Sequence, residues 1–141
     1  MYNYGTTVWS PLYQGILTGK YNDGVPADSR YANISKSDAA RFGSEVTKAQ
    51  IEKVRSLTKV AERLGGSVAS LALAWVINNP NAILGATKAS QIEENVKCLE
   101  LYPKMTEDVM EEIEDILRNK PQVVGSTPPS RRAMILNEAL K

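Results

Sequence analysis

Histidine is absent from all 141 residues, which removes a histidine-based triad, a histidine general base and the commonest zinc sites from anything the chain does by itself. Cys98 is the single cysteine. It can form neither an internal disulfide nor a thiolate cluster, a usage that suits a reducing compartment and makes cytoplasm the expected location. Charge is nearly balanced, with 17 basic and 16 acidic residues and a formal net charge of +1. No overall field results that would gather nucleic acid or an anionic membrane. No apolar run approaches the roughly 20 residues that span a bilayer. The opening Met1-Tyr2-Asn3-Tyr4 lacks the basic and apolar regions of a signal peptide. A protein that neither crosses a membrane nor is exported is expected.

What is present is ordinary globular material: 43% hydrophobic residues on a chain long enough for one domain with a core. Thr6-Thr7-Val8-Trp9 is a short β-branched and aromatic run that ends at Ser10-Pro11-Leu12, where proline interrupts a ladder, so a strand leading into a loop is predicted. From residue 15 to 43 the chain is punctuated by Gly15, Gly19, Gly24, Pro26 and Gly43 without a sustained period. A loop that long is usually functional or disordered.

Thr47-Lys48-Ala49-Gln50 has capping-box spacing, and Ile51, Val54, Leu57, Ala61 and Leu64 then share one helical stripe before Gly65-Gly66 stops it. Ser67 can cap a second helix over residues 68–77, apolar nearly all round and therefore buried, which Asn78-Asn79-Pro80 ends. Trp75 inside it reads as core. Ala82-Ile83-Leu84 reads as a second strand. A helix capped by Ser90, with Glu93 completing the box, should follow, turning Ile92, Val96 and Leu99 towards the core, with Cys98 as an unreactive packing residue. Thr106 with Glu107 and Asp108 opens a further helix carrying Val109, Ile113, Ile116 and Leu117, closed by Lys120-Pro121. Residues 122–141 are linker-like, with a short helix possible around Ala133-Met134-Ile135-Leu136.

Strand, loop, two helices, strand, loop and two more helices is the alternation of an α/β protein with parallel strands. A (β/α)₈ barrel needs about 250 residues, so two β/α units point to an arc of a barrel. The bland alternative is a small helical domain with a hairpin-like insert.

Trp9-Ser10-Pro11-Leu12, then Gly15, Gly19-Lys20-Tyr21, Gly24, Pro26 and Ser29-Arg30, resemble the segment after the seventh strand of aldo-keto reductases. Residues 85–95, Gly-Ala-Thr-Lys-Ala-Ser-Gln-Ile-Glu-Glu-Asn, resemble the segment after the eighth. Leu101, Pro103-Lys104, Ile113 and residues 117–121 resemble the potassium-channel β-subunit branch of that family. The resemblance implies that residues 1–121 are the C-terminal part of a (β/α)₈ TIM barrel, its last two β/α units. It implies too that they hold NADP (NADPH), the family reaction being hydride transfer to aldehydes or ketones.

By resemblance, Trp9 lies against the nicotinamide ring; Ser10, Pro11, Leu12, Tyr13 and Gln14 line the pyrophosphate and ribose path; and Lys20 and Arg30 clamp the pyrophosphate. Tyr13-Gln14 departs from the smaller residues of the family, and Asp28 stands where the β-subunit branch has an aromatic. The second segment has a physical argument of its own. Gly85 lets backbone approach an anion, and a helix start offers unpaired N–H groups and a positive dipole end. Thr87 adds a hydroxyl and Lys88 a point charge. Gln91, Glu94 and Asn95 follow at helical spacings suited to a 2′-phosphate, ribose and adenine, hence NADP over NAD. A capped helix start on a solvated face is the alternative for these residues.

No catalytic residue is assigned. The family's Asp, Tyr, Lys and His tetrad matches no position here, and Tyr4, Tyr13 and Tyr21 have no histidine to assist them. The open readings are a cofactor-binding part of an NADP-dependent reductase acting on a carbonyl substrate, a regulatory subunit bound to a potassium channel α-subunit, a non-catalytic NADP-binding or interaction module that could form a homo-oligomer, and a truncated non-functional product. By itself the chain is expected to show neither reductase activity nor cooperative folding as a monomer.

Overall fold

A computed structural model describes residues 7–34, 37, 39–40, 43, 45–77 and 81–120. The expected strand residue Thr6, the proline closing the last helix and the terminal helix at 133–136 lie outside them. Element order is β1 (Thr7–Trp9), a 3₁₀ segment (Tyr13–Thr18), α1 (Lys48–Leu64), α2 (Val68–Val76), β2 (Asn81–Ile83), α3 (Ala89–Val96), α4 (Cys98–Leu101), a 3₁₀ turn (Tyr102–Lys104) and α5 (Glu107–Leu117). The two strands pair in parallel, Thr7 opposite Asn81, Val8 opposite Ala82 and Trp9 opposite Ile83. The α/β alternation with parallel strands is therefore present, and the hairpin-insert alternative fails.

The helices begin and end where local chemistry directs. At α1, Thr47 Oγ1 accepts from the Gln50 amide at 3.2 Å while Gln50 Oε1 accepts from the Thr47 amide at 2.8 Å. Two otherwise orphaned donors are satisfied reciprocally. Its far end stops at Gly65, left-handed at φ 82°, and Lys104 Nζ donates to the Leu64 carbonyl at 2.7 Å. Ser67 caps α2, accepting from the Ser70 amide at 3.1 Å. Thr106 caps α5, which stops at Arg118 in a left-handed conformation, before the expected Lys120-Pro121 signal is reached.

Packing follows the apolar stripes. Val54, Leu57, Val60 and Ala61 of α1 meet Val68, Leu71, Leu73 and Ala74 of α2, with Cys98 and Leu101 of α4, Val109 and Ile113 of α5, and Ile16, Tyr21 and Tyr31 from the loop after β1. Burial pushes the Cys98 thiol up, away from reactivity. Trp75 packs against this cluster, and its buried indole N–H has no partner among the described residues. Arg63 and Glu112 make a two-pronged ion pair between α1 and α5. Lys53 Nζ donates across to the Leu117 carbonyl at the end of α5.

Three expectations need correction. α3 is capped at Lys88, with Gln91 as the side chain that reaches back, and not at Ser90 with Glu93. The second strand runs one residue earlier than 82–84. Most consequentially, Ile92, Val96 and Leu99 are exposed, at 57%, 54% and 60%, while Asn95, Cys98 and Leu101 take the buried side. The physical reason lies in what is available to pack against. The core is built between helices, and no residue of β1, β2 or α3 belongs to it. The side of α3 that carries its apolar stripe, like Ile83 on β2, finds no covering layer among the described residues.

Candidate functional site at the strand ends

Because β1 and β2 are parallel and Trp9 pairs with Ile83, residues 10–14 and 84–91 leave the sheet from the same end. Neighbouring strands lie about 4.8 Å apart, so the two segments start side by side. Ligand sites of parallel α/β proteins form at this carboxyl end.

The first segment is a compact left-handed turn. Ser10, Tyr13, Gln14 and Gly15 have φ values of 54°, 46°, 58° and 92°, closed by Tyr13 N–H to Ser10 O and Gly15 N–H to Leu12 O, both 2.9 Å. Such backbone costs about 1–2 kcal/mol at each non-glycine residue, and strain of this kind gathers at functional sites. The turn drives the Gln14 side chain inward. Only 7% of the residue is exposed, and both Oε1 and Nε2 are buried without a partner among the described residues. A buried primary amide with both ends unsatisfied is unusual. Trp9 remains half exposed before the turn. Pro11 and Tyr13 edge a separate apolar cavity of about 370 Å³ whose far wall includes Leu71 and Trp75, consistent with a packing role for Trp75.

Lys20 returns to this turn. Its Nζ stands 4.9 Å from the centroid of the Tyr21 ring, and a Cβ placed on Gly15 would meet Lys20 Cε at 2.6 Å. Tyr21 is 1% exposed, donates from its hydroxyl to the Gln14 carbonyl at 3.2 Å, and packs edge-on against Tyr31 with centroids 5.4 Å apart. Burial raises the Tyr31 pKa, with smaller contributions from Tyr13 and Tyr21. Arg30 is exposed beside Tyr31. Tyr21 belongs to the Gly19-Lys20-Tyr21 motif, but nothing local in the sequence signals its burial or its bond to the Gln14 carbonyl.

In the second segment Gly85 has open space where a side chain would be. Gln91 Oε1 accepts from the Thr87 amide at 2.8 Å, the Thr87 hydroxyl at 3.2 Å and the Lys88 amide at 3.3 Å. That oxygen thus preorganises the helix start, holding Thr87 and Lys88 in place. Glu94 pairs with Lys97 at 2.7 Å, and this hydrogen bond, with a smaller one from Ser67, holds its carboxyl below the usual range. Asn95 is buried on the Cys98 side of the helix. The structure thus brings Trp9, residues 10–14 and Lys20 together, and Gly85, Thr87, Lys88 and Gln91 together; Glu94 and Asn95 face elsewhere. No cluster of metal-ligating side chains occurs among the described residues, and none of their helices is long and apolar enough to cross a membrane.

Parallel strands delivering two polar, glycine-bearing segments to one sheet end define an α/β protein with two loop segments side by side at the strands' carboxyl ends. Comparison with known proteins sharpens this. The model of the Aldo/keto reductase family matches residues 1–118, and the chain belongs to that family, whose fold is a TIM barrel and whose members generally use NAD(P)H. Relatives provisionally named voltage-gated potassium channel subunit beta are 46% identical in Schizosaccharomyces pombe, 43% in Oryza sativa subsp. japonica and 42% in Arabidopsis thaliana. The matches cover 84–86% of this chain and 36–38% of each relative. The chain spans little more than a third of their length.

Proposed function

We propose that residues 1–121 are the cofactor-holding part of an NADP-dependent aldo-keto reductase barrel, formed by its last two β/α units, with residues 122–141 a linker-like tail. The observation that carries this reading is the pairing of Trp9 with Ile83, which sets the left-handed turn and the Gly85 segment at one sheet end. When bound, the dinucleotide supplies a hydride to the carbonyl carbon of an aldehyde or ketone. This chain's residues bind and orient. Trp9 offers its half-exposed face to the nicotinamide, and the turn at residues 10–14 lies along the pyrophosphate and ribose. Lys20 and Arg30 supply charge to the pyrophosphate. Thr87 and Lys88, held by Gln91, meet the 2′-phosphate at the start of α3, where backbone N–H groups and the helix dipole favour an anion. Glu94 and Asn95 reach the adenosine end only if α3 turns from the orientation it has here. Proton transfer to the carbonyl oxygen belongs to residues other than these, and the working compartment is the cytoplasm.

The test is direct binding. NADPH emission is titrated with the chain, with Trp9→Ala and with Trp75→Phe. The reading expects Trp9→Ala to weaken binding more than Trp75→Phe; equal affinity of Trp9→Ala and parent removes Trp9 from the site. A second reading, association with a potassium channel α-subunit, is favoured by the names of the relatives at 42–46% identity. Co-precipitation with the cytoplasmic portion of such a channel tests it, and no retention above a control domain argues against it.

A further inference from the structure

We propose that Tyr21 is the positioning residue of this site, its ring setting where the Lys20 ammonium is presented to a diphosphate; this rests on the cofactor reading above. Lysine is a flexible cation that ordinarily samples many rotamers, and a charge so spread contributes little to holding an anion. Lys20 is confined from two sides. Its Nζ lies 4.9 Å from the Tyr21 centroid, within the range of cation–π attraction, and its stem crosses Gly15 so closely that a Cβ there would stand 2.6 Å from Cε. Tyr21 in turn is fixed. It is buried, its ring abuts Tyr31, and its hydroxyl is bonded to the Gln14 carbonyl. One side chain therefore ties the left-handed turn that bears the orphaned Gln14 amide to the cation that crosses it. Gly15 serves the same arrangement by lacking a side chain, and at φ 92° it also holds a conformation L-residues avoid.

The experiment follows Lys20 by NMR in the labelled full chain and measures affinity for inorganic pyrophosphate and for NADPH. In the parent, the Lys20 Hε resonances should lie upfield of the other lysines, with nuclear Overhauser contacts to the Tyr21 ring. Tyr21→Phe, which retains the aromatic face but loses the bond to the Gln14 carbonyl, should keep the upfield shift and lose less affinity than Tyr21→Leu. Tyr21→Leu should lose the shift and bind about two- to fivefold more weakly, the factor matching a partly exposed cation–π contact. The decisive comparison is in a Lys20→Met background, where Tyr21→Leu should change neither affinity further, because the ring acts through the lysine. Lys20 resonances at ordinary positions in the parent, or an equal loss of affinity from Tyr21→Leu with and without Lys20, would overturn the proposal. If the parent binds pyrophosphate but not NADPH while the shift behaves as expected, the cofactor reading fails and the positioning by Tyr21 stands; if it binds neither, both fail.

Discussion

Gly66→Ala is the sharpest test of the helical core. Gly66 lies between α1 and α2, and a Cβ built on it would come within 2.4 Å of Leu101 Cδ1, 2.7 Å of Cδ2 and 3.1 Å of Cγ. Leu101 is 2% exposed and sits in the main cluster, so the leucine cannot swing into solvent. Forcing a methyl into a packed core costs about 1–3 kcal/mol. The lost chain freedom of glycine offsets about 0.4–1 kcal/mol of that. A net destabilisation of about 1–2 kcal/mol is expected, which is roughly 5- to 30-fold in the opening equilibrium. Hydrogen exchange at the Leu71, Leu73 and Ala74 amides of α2 reads this without requiring that the whole chain unfold in one step. Leu101→Ala alone should cost about 2–5 kcal/mol. Combined with Gly66→Ala it should cost clearly less than the two added, because the new methyl enters the space the leucine vacates. Unchanged or slower exchange in Gly66→Ala, or simple additivity in the pair, would show that α4 does not seat Leu101 against this turn.

Three further outcomes are expected. Replacing Ile92, Val96 and Leu99 together by lysine should weaken self-association of the chain by about two to three powers of ten, since each half-exposed side chain has about 1 kcal/mol or more still to gain by burial; sedimentation equilibrium checks this, and an unaltered association constant would place the contact elsewhere. Lys88→Met should narrow the ratio of NADP to NAD affinity, a charge-assisted bond to the 2′-phosphate being worth about 1.5–3 kcal/mol; an unchanged ratio would put Lys88 in solvent. Arg63 holds the Glu112 carboxyl below its usual range, first through their hydrogen bond. The pair's contribution is therefore complete above the ordinary carboxylate pKa and is lost as pH falls through the lowered one. Carbon-13 titration of Glu112 should give a midpoint that returns to the ordinary range in Arg63→Gln, and coincident midpoints would deny the ion pair.

What could be read from the residues was what local chemistry decides. Thr47 with Gln50, Ser67, and Thr106 before two acidic residues fix three helix starts within a few positions, so their signals are complete in short windows. The start of α3 misled because Ser90 and Gln91 compete there, and Gln91 wins by reaching three donors at once. The stripe of Ile92, Val96 and Leu99 has a helical period, but a period reveals which residues share a side and not whether a neighbour covers it. The site divided in the same way. That Thr87 and Lys88 come just before a helix was legible, whereas the turn at residues 10–15 runs against conformational preference at three non-glycine positions. The burial of Gln14 and the bond of Tyr21 to its carbonyl follow from that turn, so they were hidden with it.

The pairing of β1 with β2 also dictates an order of assembly. Thr7 and Asn81 meet across a span of 74 positions, and closing a loop of that length costs about 4 kcal/mol by the logarithmic law. Three residues on each strand, with none of their described side chains in the helical core, cannot recover so much from hydrogen bonds worth about 1 kcal/mol apiece. The hairpin of α1 and α2, joined by a few residues, meets no such barrier. The helices must therefore collapse first and bring the strands within reach, so the strand ends, and the two segments that issue from them, come into register only in the final step of folding. A chain arrested just before that step would have nearly its full helix content and no site.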